Sequence, residues 1–183
     1  MKNKYFILII SYFFLCKISF AEPFTFKTSE IEIKQEGNLI YATNGKAISS
    51  DNNLEISAKK FEYYKDRDFL IAFDGIAFIK NDNLEIEFKE IELDQKKNFF
   101  EAKNNVKIFQ NKEKLSIQTN KLTYDLVSKT LESKTNSVLK DQFKNTFKTE
   151  FFNYDIKNNI LKIQNANFID SANNKFYVEL AFI

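Results

Sequence analysis

The chain has 183 residues, 44% hydrophobic and 28% charged, enough for one globular domain with a sizeable core and too few for two. Its 27 basic and 25 acidic residues leave a net charge of +2, and no lysine run interleaved with exposed aromatics argues for a nucleic-acid groove. Histidine is absent and the single cysteine is Cys16, which excludes the usual zinc sites, Ser-His-Asp triads and Cys-His pairs from the body of the chain.

Residues 1–21 read MKNKYFILIISYFFLCKISFA: a basic start at Lys2 and Lys4, an apolar run from Tyr5 to Cys16, and small residues Ser19 and Ala21 before a cut. The apolar run of about 12 residues is short of the roughly 18 needed to span a bilayer, and Lys17 interrupts it. The segment reads as a cleavable signal peptide, leaving 22–183 as the folded domain. Leu15 and Lys17 around Cys16 do not make a lipid-attachment site. Without Lys2, Lys4 and Lys17, 27 basic residues become 24 against 25 acidic, a net charge of −1. The exported chain then has no thiol and no disulfide, so burial and strand pairing must hold it together.

Downstream, the sequence repeats every 30 or 31 residues. One apolar column runs Ile31, Phe61, Ile91, Leu122, Phe152 and Phe182, and a second, two residues on, runs Ile33, Tyr63, Leu93, Tyr124 and Tyr154. A two-residue step on one face is the strand period. Leu54, Ile56 and Ala58, then Leu84, Ile86 and Phe88, alternate with polar residues ahead of these columns, as half-buried strands do. The apolar parity switches between Ala58 and Phe61 and between Phe88 and Ile91, so each strand must bend or bulge there.

The return half of each repeat has its own columns: Ile40, Leu70, Phe100, Leu131 and Leu161, and two later Ala42, Ala72, Ala102, Ser133 and Ile163. Three residues on come Gly45, Gly75, Asn105, Asn136 and Ala166, mostly types that tolerate positive φ or a mid-strand bulge. Apolar residues resume at Ile48, Phe78, Ile108, Leu139 and Ile169. Polar breaks at 65–68, 80–83, 95–98 and 110–113 mark short turns, which favour antiparallel neighbours. The expected fold is all-β: a folded antiparallel β-jelly-roll solenoid of bent hairpins, taco-like in section, with two facing half-sheets. A parallel β-helix is the alternative.

The chemical inventory is carboxylates, lysines, hydroxyls and many aromatics, 21 Phe and 8 Tyr with no Trp. Acidic pairs such as Asp66 with Asp68 and Glu85 with Glu87 fall in turns or on polar strand faces and read as solvated surface. Three glycines cannot build a phosphate loop. Neither a metal nor a cofactor is expected, and the chain reads as non-enzymatic. The inward aromatics either fill a core or line an interior open to acyl chains.

The phrases NLEISAKKFEYY (53–64), LIAFDGIAFI (70–79), NLEIEFKEIELD (83–94), FEAKNNVKIF (100–109) and KLSIQTNKLTYD (114–125) resemble the OstA-like domain of bacterial lipopolysaccharide transport, over essentially all of residues 24–183. The resemblance implies a periplasmic jelly roll that carries lipid A acyl chains inside and stacks end to end with similar domains by strand pairing. It implies a lipid groove lined by Phe61, Tyr63, Leu70, Ala72, Phe78, Ile91, Leu93, Phe100, Ala102, Ile108, Leu122, Tyr124, Leu131, Phe152 and Tyr154. The later repeats depart from the idiom at Ser133, Asn136, Ile163 and Ala166, so the groove is least regular there.

Two roles fit: the N-terminal periplasmic domain of the outer-membrane assembly protein, with a barrel to follow, or the free periplasmic bridge protein. The sixth repeat stops at Ile183 inside an apolar strand, which reads as a domain incomplete at its C-terminal end and favours the first. A periplasmic or surface β-solenoid adhesin with a solid core, and a carbohydrate-active solenoid with a carboxylate pair, are the alternatives.

Overall fold

The computed structural model describes residues 23–51 and 53–183; the expected signal peptide at 1–21 lies outside them. Thirteen strands follow: β1 Phe24–Lys34, β2 Leu39–Ser49, β3 Leu54–Tyr64, β4 Phe69–Ile79, β5 Leu84–Asp94, β6 Phe99–Gln110, β7 Leu115–Asp125, β8 Thr130–Ser133, β9 Ser137–Lys140, β10 Thr146–Thr149, β11 Phe151–Asp155, β12 Ile160–Ile169 and β13 Lys175–Phe182. They form one sheet, with every pairing antiparallel, so the parallel β-helix is set aside. From β1 to β7 each strand pairs with the next, as short polar turns dictate. The turns at 65–68, 80–83 and 95–98 fall where the polar breaks placed them, whereas the fourth lies at 111–114.

Each long strand bends where its apolar parity switches. In β3 the buried residues are Leu54, Ile56 and Ala58, then Phe61 and Tyr63, a three-residue step across the bend. β5 repeats it at Leu84, Ile86, Phe88, Ile91 and Leu93. Both half-strands thus turn their apolar residues inward, and these residues gather in a single core cluster that includes Ile56 from one half and Tyr63 from the other. Ring contacts join the halves: Phe24, at the start of β1, meets Tyr63, at the end of β3, edge-on at 5.8 Å.

The return strands differ in how they bend. At Gly45 and Gly75 an added Cβ would lie 2.2 Å from the Lys27 carbonyl oxygen and 2.3 Å from that of Ser57, so close backbone approach demands glycine there. Positive φ falls one residue earlier, at Asn44 (48°) and Asp74 (50°), in place of the glycines. Asn and Asp are the side chains that best tolerate that region. β6 is a residue longer, with Asn104 and Asn105 both at positive φ and a register shift between Lys103 and Val106.

That extra residue corrects one expected groove position. Carrying a constant spacing back from Ile108 lands on Phe78, yet Ile108 pairs with Ile86, which pairs with Ala77. Ala77 is inside and Phe78 outside, 40% exposed. Ile48 is displaced likewise: Ala47 is the buried residue. Past the bend the inward residues are Val106 on β6 and Ser137 on β9. At the far end Ile163 pairs with Ala181, so Phe182 also faces outward.

Candidate functional site

The interior is built from alternate residues of successive strands. Phe61, Tyr63, Leu70, Ala72, Ile91, Leu93, Phe100, Ala102, Ile108, Leu122, Tyr124, Leu131, Phe152 and Tyr154 all lie in the one buried cluster, so every expected groove residue except Phe78 is brought together. Phe100 packs on Tyr124 with ring centroids 5.2 Å apart. The side chains fill the space between the half-sheets; the six largest fully buried are Tyr63, Tyr124, Phe24, Phe61, Phe100 and Phe152. At the ends the inward faces lose their cover: Ile31 and Ile33 on β1 are 51% and 61% exposed, and Phe176 on β13 is 52% exposed.

Along the side opposite the bends, two rows of turns face each other. One rim carries the turns after β1, β3, β5, β7 and β11, the other those after β2, β4 and β6. Each rim is stitched lengthwise, a turn amide donating to the carbonyl of the previous turn on that rim. Lys65 donates to Asn38, Gln95 to Asp68, Leu126 to Asn98 and Ile156 to Lys129 on the first, and Lys80 to Asn53 and Asn111 to Asn83 on the second.

Between described residues, two hydrogen bonds on Asp82 Oδ2 cross from rim to rim: Tyr124 Oη donates at 2.5 Å and Lys129 Nζ at 3.0 Å. Burial, then the hydrogen bond to Asp82, pushes the Tyr124 phenol far above its usual value. Burial and the charges of Glu113 and Asp155 push Tyr154 up to about 12. A cleft of about 350 Å³ between the rims is lined by Asp51, Leu54, Leu93, Leu126 and Lys129, among others. Sequence reasoning placed Tyr124 inside but missed Asp82 and Lys129. The available signal was the column Asp68, Asn98, Lys129 and Asn159, where one lysine stands among Asp and Asn.

The outer face mixes apolar side chains such as Phe78 with charges, many of them paired. Lys103 meets Glu90, Glu92 and Glu101 at 3.4, 2.6 and 3.3 Å. Burial pulls the Lys103 pKa down, but hydrogen bonds to Glu92 and Glu101 outweigh it and hold it above the usual lysine value. Glu101, despite burial, is held low by Lys121 and Lys103. The displaced carboxylates, Asp51, Glu55, Asp74, Asp94, Glu101, Asp125, Asp155 and Asp170, all move down. Among the described residues no group of three or more metal-ligating side chains is placed to hold an ion.

Comparison with known families gives a match to the OstA-like protein family across residues 57–176. The chain belongs to the OstA-like family. A solved structure, LptH, the LptA-homologous periplasmic component of the conserved lipopolysaccharide transport device of Pseudomonas aeruginosa, is similar over 88% of this chain and 94% of its own, at 11% identity and a TM-score of 0.34. No curated protein matches the chain. The OstA-like match spans the turn, bend and interior positions from β3 to the start of β13. It therefore covers Asp82, Tyr124, Lys129 and all fourteen inward residues named above.

Proposed function

We propose that this OstA-like chain is a non-enzymatic periplasmic conduit for lipopolysaccharide, holding the lipid A acyl chains inside the folded sheet on their way to the outer membrane. The observation that carries the reading is an apolar interior that runs the length of the stack and loses its cover at both ends, at Ile31 and Ile33 and at Phe176. Burying an acyl chain gains about 0.8 kcal/mol per CH₂, so an interior walled by Phe, Leu and Ile selects chains over sugars. The signal peptide read at 1–21 supplies the export route. β1 and β13 each pair on one edge only, which suits end-to-end strand addition by a similar domain. The bridge protein and the N-terminal domain of the assembly protein would use the same interior, and the genomic sequence beyond residue 183 separates them.

The filled core favours a second reading, a binding module with a solid interior. The two part in one experiment. Photocrosslinking residues placed at Phe61, Leu93 and Phe100 in the exported protein should trap lipopolysaccharide in cells. Clean absence of adducts at all three in folded protein would overturn the conduit and leave the solid module.

A further inference from the structure

The half-sheets are continuous along the bends, but on the opposite side only turns meet. Resting on the acyl-carrier reading, we propose that Asp82, Tyr124 and Lys129 form a latch across this seam, and that acyl chains enter the interior sideways when it opens.

Three observations converge. First, Asp82 is 10% exposed, the most buried carboxylate among the described ion pairs, and it takes both cross-rim bonds. Second, the latch is made by a departure from the repeat. Tyr63 and Tyr154 bond within their own rim to the residue five positions on, Asp68 Oδ1 at 3.3 Å and Asn159 Oδ1 at 2.7 Å. The residue five positions after Tyr124 is Lys129, in the same left-handed conformation, φ 61° against 49° and 55° for Asp68 and Asn159. A lysine offers no acceptor, so the Tyr124 hydroxyl finds none at the local position and, with Lys129, reaches across to Asp82.

Third, Lys129 is a wall shared by two clefts of about 350 Å³ each. One is lined by Asp51, Leu93 and Leu126, the other by Asp82, Glu113, Tyr154 and Lys157. The Asp51 carboxylate is held low chiefly by the Ser49 hydroxyl and the Asn53 amide, and least by the charge of Lys129, so the lysine faces two acids of the opposing rim. Parting Lys129 from Asp82 merges the clefts and opens the way to chains now buried: Leu93, which lines the first cleft, and Leu122, two residues before Tyr124 on the same face of β7.

The test variant is Lys129→Asn, which restores the acceptor of the neighbouring turns and lets Tyr124 bond locally, removing the latch without breaking the turn. Asp82→Ala removes it from the other rim, and Asp125→Ala, which loses the turn acceptor for the Val127 and Ser128 amides, is the control with no cross-rim bond. Each is made with Leu122→Cys in a Cys16→Ser background. Two rates are read in full-length protein: thiol labelling at position 122, and uptake of a pyrene-labelled fatty acid. The latch predicts that Lys129→Asn and Asp82→Ala raise both rates about tenfold, as loss of a charge-assisted bond in a local opening does, while Asp125→Ala leaves them within about twofold. Labelling unchanged in both latch variants, or raised equally by the control, overturns the latch. Uptake by every protein at one common rate overturns the latch and spares the carrier reading. Accelerated labelling with no probe bound by any protein overturns the carrier reading and with it the latch as an entry route.

Discussion

β2 to β7 and β8 to β11 solve the same problem with different chemistry. In β4 the strand bends without breaking: Asp74 takes a positive φ and Gly75 lets the Ser57 carbonyl come close. In the later repeats the strand is cut in two, and hydroxyls fill the gap. Thr119 Oγ1 lies 2.8 Å from Ser133 Oγ, 2.9 Å from Thr135 Oγ1 and 2.9 Å from Ser137 Oγ. Thr149 Oγ1 donates to the Gln164 carbonyl at 2.5 Å between β10 and β11. A bend leaves strand hydrogen-bonding groups without their ladder partners, and each must be satisfied when buried. Glycine lets neighbouring backbone close over the bend; hydroxyls bring the partner with them.

The largest way to break the comparison is Gly75→Val, which has no room beside the Ser57 carbonyl and should destabilise the fold by more than about 4 kcal/mol, read by denaturant unfolding. Phe100→Ala should cost about 3–5 kcal/mol through the cavity it leaves. Phe78→Ala, on the outward face three pairs away from Gly75, should stay within about 0.5 kcal/mol. Equal losses at 78 and 100 would contradict the register. Thr119→Val keeps the shape but removes the hydroxyl that Ser133, Thr135 and Ser137 share, leaving them their bonds to one another and to the Thr135 carbonyl, and should cost about 1–3 kcal/mol. An equivalent change at Ser57, on the outward face of the unbroken β3, should be near neutral.

The smallest effect concerns pH and asks whether both regions seal the interior equally. Tyr124 lies under the unbroken part and Tyr154 under the broken part, and burial raises both phenols above their ordinary value of 10.0. Raised folded pKa values mean that the neutral phenols stabilise the fold fully below pH 10, and that this contribution is lost as pH rises from 10 through about 12 and beyond. Tyrosinate absorbance should show the two appearing late, together with unfolding, and Tyr154→Phe should remove one of the late group. Early titration of Tyr154 alone would show the broken region to be open.

Periodicity made the fold legible because two-residue alternation, the switch from Ala58 to Phe61, and short polar turns are each local. The bends in β3 and β5 could be placed from parity alone. What periodicity could not supply was a count within the bend. β6 takes four residues from Ala102 to Val106 where β4 takes three from Ala72 to Gly75, and a polar Asn-Asn pair carries no sign of the difference. Hence constant spacing puts Phe78 inside. Asp82 and Lys129 escaped for another reason: they lie 47 residues apart on opposite rims, and no repeat column connects one rim to the other.

The interior and its register are tested most directly by photocrosslinkers at two adjacent residues of β4, Phe78 and Ile79, in cells making lipopolysaccharide. Ile79 is fully buried and Phe78 is 40% exposed. The account predicts lipopolysaccharide adducts from position 79 and none from position 78. Adducts from 78 alone, or equally from both, would contradict it.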